Sequence, residues 1–356
     1  MSTFVFVICQ TGAEAALKAD VARRHSKFRF AFSRPGFVTF KVPEDVRRDR
    51  QFQLKSTFAR TWGFSVGKVT GETAEQLASD VRSLIEERFP QDGFGKFSHL
   101  HVWERDRRVP GDSGYEPGIT PLADEAGHLI RDAGGGAWQS LKLNETAAVE
   151  DRIFDCVLVE PGEWWVGWHR ATDIPTTWPG GVPDFELEQP IVSRTYLKMA
   201  EALLWSELPI ESGDKVVEIG SAPGGSCQAL LERGLAVTGV DPAEMDETLL
   251  SHPYFTHWKA RAKDLKQKQF ADFRWLMSDA SVAPRYTLDT VERIVTSKAV
   301  KIEGLLLTLK LTDLKLAARV PEFHKRIRSW GYRFVRSRQL AYNRQEICVA
   351  ATDRVS

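Results

Sequence analysis

The chain has 356 residues, room for roughly two domains at ~150 residues each, and its 48 lysines and arginines are balanced by 48 aspartates and glutamates. Zero net charge excludes a general polycation, and 42% hydrophobic with 27% charged residues is an ordinary globular composition. No apolar run approaches the ~20 residues of a membrane span, Phe4–Cys9 is too short and lacks the basic start of a signal peptide, and Cys9, Cys156, Cys227 and Cys348 form no C-x-x-C pair, so a cytosolic protein with reduced thiols, no metal and no membrane association is expected.

In chain order, the first part reads as small α+β. Phe4–Ile8 predicts a strand, Ala13–Arg24 a helix and Gly36–Val42 a second strand. Residues 74–89 place Leu77, Val81, Leu84 and Ile85 at a helical period. Phe97–Val102 predicts another short strand. Residues 104–136 then change character: seven glycines and three prolines fall between Pro110 and Gly136, which predicts a long loop. Ile153–Val159 and Trp164–Trp168 flank Glu160-Pro-Gly-Glu163 and predict a hairpin. The segment Trp178-Pro-Gly-Gly-Val-Pro183 is too rich in breakers for a regular element, and the domain boundary is placed there, giving residues 1–175 and 176–356.

Beyond it helices and strands alternate. Ser193 is positioned to cap a helix running to about Glu207. Apolar runs at Lys215–Ile219, Ala236–Val240, Phe273–Ser278 and Gly304–Leu311 suit strands buried on both faces of a mostly parallel sheet. Tyr332–Arg338 and Glu346–Ala351 predict two more. The class is therefore α/β and Rossmann-like, preceded by an α+β domain.

The stretch Lys215–Asp241, KVVEIGSAPGGSCQALLERGLAVTGVD, is a strand, a glycine turn, a helix and a strand that ends in an acid. Gly220, Gly224 and Gly225 let a ligand approach the backbone, the helix start offers free N–H groups, and Asp241 sits about 20 residues on, where an acid accepts ribose hydroxyls. The spacing is not the G-x-G-x-x-G of a dinucleotide site. Glu218 would repel a pyrophosphate but suits the cationic amino end of S-adenosylmethionine. The E-x-G-x-x-x-G turn, stiffened by Pro223, resembles motif I of class I methyltransferases; a tight turn with no ligand is the alternative.

Four polar residues stand on or beside the apolar elements. Lys310 interrupts Leu305-Leu-Leu-Thr-Leu-Lys-Leu311, where lost hydration would lower its pKa toward neutrality and make it a general base. Asp279 follows a strand, Lys198 lies on the helix after Ser193, and Glu346 opens the last strand. Their order, with motif I between the first and second, resembles the K-D-K-E tetrad of FtsJ-type ribose 2′-O-methyltransferases. The similarity covers residues 176–352, supported by Trp178–Pro183, Ser193–Ala202, Glu218–Leu230, Gly239–Met245, Leu309–Leu311 and Ser337–Val349, and is greatest to the M type, which modifies a cytidine of bacterial large-subunit ribosomal RNA. It implies that Lys310 takes the 2′-hydroxyl proton, that Asp279 and Lys198 tune it, and that Glu346 holds the second lysine or the ribose. It also implies S-adenosylmethionine contacts from Glu218, Gly220, Ser221, Pro223, Gly224, Gly225 and Asp241, an adenine contact from Asp264, and a THUMP-like RNA-recognition module before the enzyme domain.

Absent motifs narrow the acceptor. Where exocyclic-amine methylases resemble [DN]-P-P-[YFW], the chain reads Ser278-Asp-Ala-Ser-Val282, and no cysteine lies there to act as a nucleophile on a pyrimidine carbon. Charge points to RNA as the partner. Lys315–Arg344 holds nine basic residues against Glu322, and Lys259–Lys268 five against Asp264, with Trp258, Trp330, Tyr332 and Tyr342 interleaved for stacking on bases. A cap or transfer RNA as substrate, or a non-catalytic RNA-binding protein, are the alternatives.

Overall fold

The computed structural model describes residues 3–49 and 51–352 and divides into two compact units, Met1–Asp184 and Phe185–Ser356. In the first, eight strands form one sheet: β1 (Thr3–Ile8), β2 (Arg29–Arg34), β3 (Phe37–Val42), β4 (Thr61–Thr70), β5 (His99–Glu104), β6 (Lys142–Leu143), β7 (Arg152–Glu160) and β8 (Glu163–Arg170), in the order β2-β3-β1-β4-β8-β7-β5-β6. Only β5 pairs in parallel, with β6 and β7. Leu77, Val81 and Ile85 of the helix Ala74–Arg88 pack with Phe154, Trp164 and Val166 of β7 and β8, the stripe the periodicity predicts. β7 and β8 form the expected hairpin. β2 and β4 have no counterpart in the expected elements. β2 is largely exposed, so it shows no apolar run, and β4 is broken by Gly63 and Gly67. Gly63 is required there: a Cβ would lie 2.5 Å from Phe6 Cζ of β1.

The expected loop at 104–136 is corrected by the structure, because it contains a twelve-residue helix, Pro121–Asp132. The breakers that suggested a loop are compatible with it. Pro121 stands in the first turn, where its missing N–H costs nothing, and Thr120 Oγ1 accepts the Ala123 N–H at 3.2 Å. Gly127 leaves space that Leu143 fills. Residues 178–183 also belong to the packed interior of the first unit. Pro179–Gly181 forms a buried 3₁₀ turn, and Arg60, ion-paired with Asp106, donates from Nε to Gly180 O at 2.9 Å.

The second unit is built on seven strands: β9 (Lys215–Ile219), β10 (Ala236–Val240), β11 (Phe255–Trp258), β12 (Trp275–Ser278), β13 (Gly304–Lys310), β14 (Phe334–Arg338) and β15 (Glu346–Thr352). Their order is β11-β10-β9-β12-β13-β15-β14. β9 to β13 run parallel and β15 alone is antiparallel to its neighbours, so the mostly parallel sheet is as expected. β11, the edge strand Phe-Thr-His-Trp, lacks the apolar run that marks the others. The helix beyond Ser193 begins at Thr195 and ends at Ser206; Ser193 Oγ pairs with Thr195 Oγ1 at 2.8 Å rather than capping the helix. Helices Thr195–Ser206 and Gly225–Glu232 press Met199, Leu203, Leu230 and Leu231 against Val216, Trp275, Met277 and Leu306. Among the described residues no helix is long and apolar enough to cross a membrane.

Leu306 lies mid-strand in β13 and is 2% exposed. Leu306→Ala is expected to destabilise the second unit by about 3 kcal/mol through lost burial and a residual cavity, read as a lower urea midpoint with secondary structure retained in water.

Candidate functional site

Parallel pairing brings the carboxyl ends of β9 to β13 to one edge of the sheet, where ligands bind in open α/β folds. Gly220 follows β9, Asp241 follows β10, Asp279 follows β12, and Lys310 is the last residue of β13. β15 runs the other way, so its first residue reaches the same edge, and Glu346 is the direct cross-strand partner of Lys310. Lys198 joins from the helix Thr195–Ser206.

The four residues form one alternating charge cluster. Glu346 Oε1 pairs with Lys198 Nζ and Oε2 with Lys310 Nζ. Asp279 Oδ1 lies 3.1 Å from Lys310 Nζ, and Oδ2 lies 3.6 Å from Lys198 Nζ. Lys198, Asp279 and Glu346 are buried and Lys310 is partly so. Two ammonium groups and two carboxylates are therefore mutually compensated, as burial of charge demands. The expectation that Lys310 titrates toward neutrality is corrected. Burial pulls its pKa down, but Asp279 and Glu346 outweigh burial and the net direction is upward. Burial pushes the Glu346 carboxyl up, yet the two lysines hold it below its usual range.

The glycine turn has the tight backbone that motif I requires. Gly220 has φ +81° and a Cβ there would lie 2.7 Å from Ala280 Cα, beside Asp279; Gly224 has φ +126° and its Cβ would collide with Leu249. At Gly225, the first helical residue, a Cβ would meet Ser193 O at 2.7 Å. The Asp241 carboxylate is partly exposed at the strand end and accepts from Ala243 N at 2.8 Å and Ala222 N at 3.3 Å. A bare glycine backbone beside a partly exposed acid fits the ribose and amino-acid portions of S-adenosylmethionine. Pro223 is exposed on the turn, Ser221 is buried with Oγ 3.6 Å from Met245 Sδ, and Asp264 is exposed on a 3₁₀ turn after β11.

Glu218 departs from its expected orientation toward a cationic ligand. It is buried under the turn, where Cys227 Sγ donates to its Oε2 at 2.8 Å, and burial pushes its carboxyl up to about 8. Sequence reading missed Glu201, one turn from Lys198 on the same helix. Fully buried, it accepts the N–H groups of Ala341 at 2.9 Å and Tyr342 at 3.2 Å and so fixes the loop leading into Glu346. Asn343 Nδ2 continues that loop's support by donating to Glu346 O at 3.3 Å. An acid following an apolar helical stretch looks like any surface glutamate; only the fold reveals its partners, 140 residues away.

The basic stretches are less available than their charge count suggests. Arg326 is paired with Asp289 and Glu292, Arg319 with Glu322, and Lys259 with Glu244. Arg336 donates to the carbonyls of Trp205 and Ser206. Tyr332 and Tyr342 are buried, so the stacking role expected of them is corrected: the apolar rings fill the interior, and Tyr332 donates its hydroxyl to Ile302 O at 3.0 Å.

Two outcomes test this geometry. Glu218 carries its proton in the folded state to higher pH than the ordinary value of 4.5, so the unfolded chain releases that proton first and stability should fall as pH rises from about 4.5 to about 8. Urea unfolding across this window should show that decline, and Glu218→Gln should flatten it. Glu201→Ala strands two buried amides at a cost of about 1–3 kcal/mol; calorimetry should place Glu201→Gln, which keeps one acceptor oxygen, between Glu201→Ala and wild type.

The sequence matches a family model described as FtsJ-like methyltransferase over residues 191–334. Ribosomal RNA large subunit methyltransferase M of Azoarcus sp. (strain BH72) is 27% identical over 186 residues, 49% of this chain and 50% of that protein. The protein of the same name from Halorhodospira halophila (strain DSM 244 / SL1) is 29% identical over 49% of this chain and 51% of its own length. The chain thus spans about half the length of these two relatives. A third, from Xanthomonas euvesicatoria pv. vesicatoria (strain 85-10), is 26% identical over 361 residues, 96% of this chain and 97% of that protein. Among solved structures, TrmN from Thermus thermophilus aligns over 98% of this chain and 99% of its own, at 12% identity and a TM-score of 0.36. Over the matched segment, which carries the glycine turn with Lys198, Asp279 and Lys310, the chain is similar to the FtsJ-like methyltransferases.

Proposed function

We propose that this chain transfers a methyl group from S-adenosylmethionine to a ribose 2′-hydroxyl of RNA, with large-subunit ribosomal RNA as the substrate class. The observation that carries this reading is the alternating Lys198–Glu346–Lys310–Asp279 cluster at the carboxyl edge of a parallel sheet that also holds the glycine turn. The relatives' name, ribosomal RNA large subunit methyltransferase M, supports the choice of RNA.

Bound S-adenosylmethionine would supply an electrophilic methyl group on a neutral leaving group. The backbone of the Gly220–Gly225 turn and the Asp241 carboxylate would hold it, with Ser221 and Pro223 shaping the turn, Asp264 reaching the adenine, and the neutral Glu218 bracing the turn from beneath. Lys310 takes the 2′-hydroxyl proton. Its ammonium is stabilised by Asp279 and Glu346, and Lys310 loses that proton more readily once another positive charge lies beside the cluster. Glu346 holds both lysines by separate oxygens, so Lys198 stays fixed while Lys310 changes charge. The rest of the rate comes from orientation of the hydroxyl. The first unit, Met1–Asp184, is assigned as a THUMP-like RNA-recognition domain and the second, Phe185–Ser356, as the methyltransferase domain of a cytoplasmic enzyme.

Tritiated methyl transfer onto total RNA and onto ribosomal subunits tests the reading, with the mark mapped to a ribose. Lys310→Ala is expected to lower the rate by about 100-fold or more while calorimetric affinity for S-adenosylmethionine stays near wild type. Lys310→Arg should not restore the rate, because a guanidinium keeps its proton. Transfer by Lys310→Ala at the wild-type rate would remove Lys310 from the chemistry.

A further inference from the structure

One carboxylate oxygen of the charge cluster is left without a hydrogen bond. Asp279 Oδ1 accepts from Lys310 Nζ at 3.1 Å, but Oδ2 is buried and, among the described residues, unpartnered. The cation facing it, Lys198 Nζ, stands at 3.6 Å, and Lys198 is already engaged by Glu346 Oε1. That gap is too long for a direct hydrogen bond, and a buried carboxylate oxygen without a donor is costly.

The fold leaves a small cavity against this oxygen. Thr308 and Cys348 are cross-strand partners in the same ladder that pairs Lys310 with Glu346, two residues further along, so all four share one face of the sheet. With Lys198, Ser226, Asp279 and Leu306 they line a cavity of about 10 Å³. This is about the least space that holds one water molecule, which also needs two to four polar partners. The walls supply them. Among the described residues the Thr308 side chain makes no hydrogen bond, although Thr308 is only 8% exposed. Ser226 Oγ is already committed to Thr195 O at 3.4 Å, and burial pushes the Cys348 thiol up, so that it stays neutral. A metal cation here would face two ammonium groups, and a chloride ion would face two carboxylates in too small a space.

We propose that this cavity holds one ordered water that donates to Asp279 Oδ2 and accepts from Lys198 Nζ and from the Thr308 hydroxyl, which makes Thr308 a positioning residue for Lys310. The water fixes the tilt of the Asp279 carboxylate, keeping Oδ1 on Lys310 and Oδ2 off Lys198. Without the hydroxyl, Oδ2 turns to Lys198 directly and Oδ1 leaves Lys310. The other titratable groups around this carboxylate are Glu346 and Cys348 on β15 and Glu218 beneath the glycine turn; the last two are neutral, so neither replaces what Lys310 loses. The inference rests on Lys310 being the base of the proposed reaction, and it adds a residue that the charge cluster alone does not name.

The first test is a crystal structure of the full chain at about 1.5 Å or better, where ordered waters are seen although hydrogens are not. A water within hydrogen-bond distance of Asp279 Oδ2, Lys198 Nζ and Thr308 Oγ1 is expected, and its loss in Thr308→Val with Asp279 turned toward Lys198. An empty cavity with Asp279 Oδ2 directly on Lys198 in the wild type would overturn the proposal. The second test is a carbon-13 NMR titration of the lysine side chains, with the Lys310 signal identified by its absence in Lys310→Arg. Thr308→Val should lower the pKa of Lys310, and Thr308→Ser, which keeps the hydroxyl, should restore it. An unchanged Lys310 titration in Thr308→Val, or a shift that Thr308→Ser does not reverse, removes Thr308 from the positioning of Lys310. Methyl transfer is the third readout: on the alkaline plateau Thr308→Val should lose about tenfold in kcat with KM for RNA unchanged. If the wild type transfers no methyl group to any RNA while the water and the titration shift are both present, the methyltransferase reading falls and the water site stands.

Discussion

Two ammonium groups and two carboxylates, three of the four side chains buried, are tolerable only because each neutralises its neighbours. Taking one such ion out of water costs several kcal/mol, so Lys310 and Lys198 need Glu346 and Asp279 as much as the reverse. The architecture of the second unit follows from meeting this demand. Parallel strands deliver Asp279 and Lys310 to one edge, the antiparallel strand delivers Glu346 opposite Lys310, and the helix Thr195–Ser206 brings Lys198 across the top. Antiparallel register is exacting here, since a slip of one residue would turn Glu346 to the other face of the sheet.

The parallel core of this unit was legible in the sequence because its strands are continuous apolar runs, and the polar residues that interrupt or follow those runs stand out by contrast. Lys310 at the end of a leucine strand and Asp279 after Trp-Leu-Met-Ser are cases where local pattern and position coincide. The resemblance implied that Asp279 tunes Lys310, but the direction of that influence was not legible in the residues themselves. An isolated lysine among leucines should lose its charge; the same lysine between two acids keeps it, and nothing in residues 305–311 foretells that Glu346 will be its neighbour. Glu218 misled in the opposite sense. Its position before the glycine suggests a ligand contact, yet a buried thiol is what it meets. The helix Pro121–Asp132 was hidden because breakers at its start and a glycine at a close contact were counted without regard to where in a turn they fall.

Charge was the least reliable guide. Clusters of lysine and arginine along the chain, such as residues 315–344, turn out to be laced to acids on neighbouring helices and to helix-end carbonyls. Linear clustering on an amphipathic helix here reflects internal pairing, as at Arg319 and Arg326.

The antiparallel insertion of β15 has a consequence for biosynthesis. Lys198, Asp279 and Lys310 are translated before the acid that bridges the two lysines, and β15 must thread between β13 and β14, both already made. A ribosome-bound nascent chain that has not yet released Glu346 therefore holds two lysines against a single aspartate, with an open strand position in its sheet. Such a chain is charged where the finished one is neutral, and the charge cluster closes only when β15, which carries Glu346, docks.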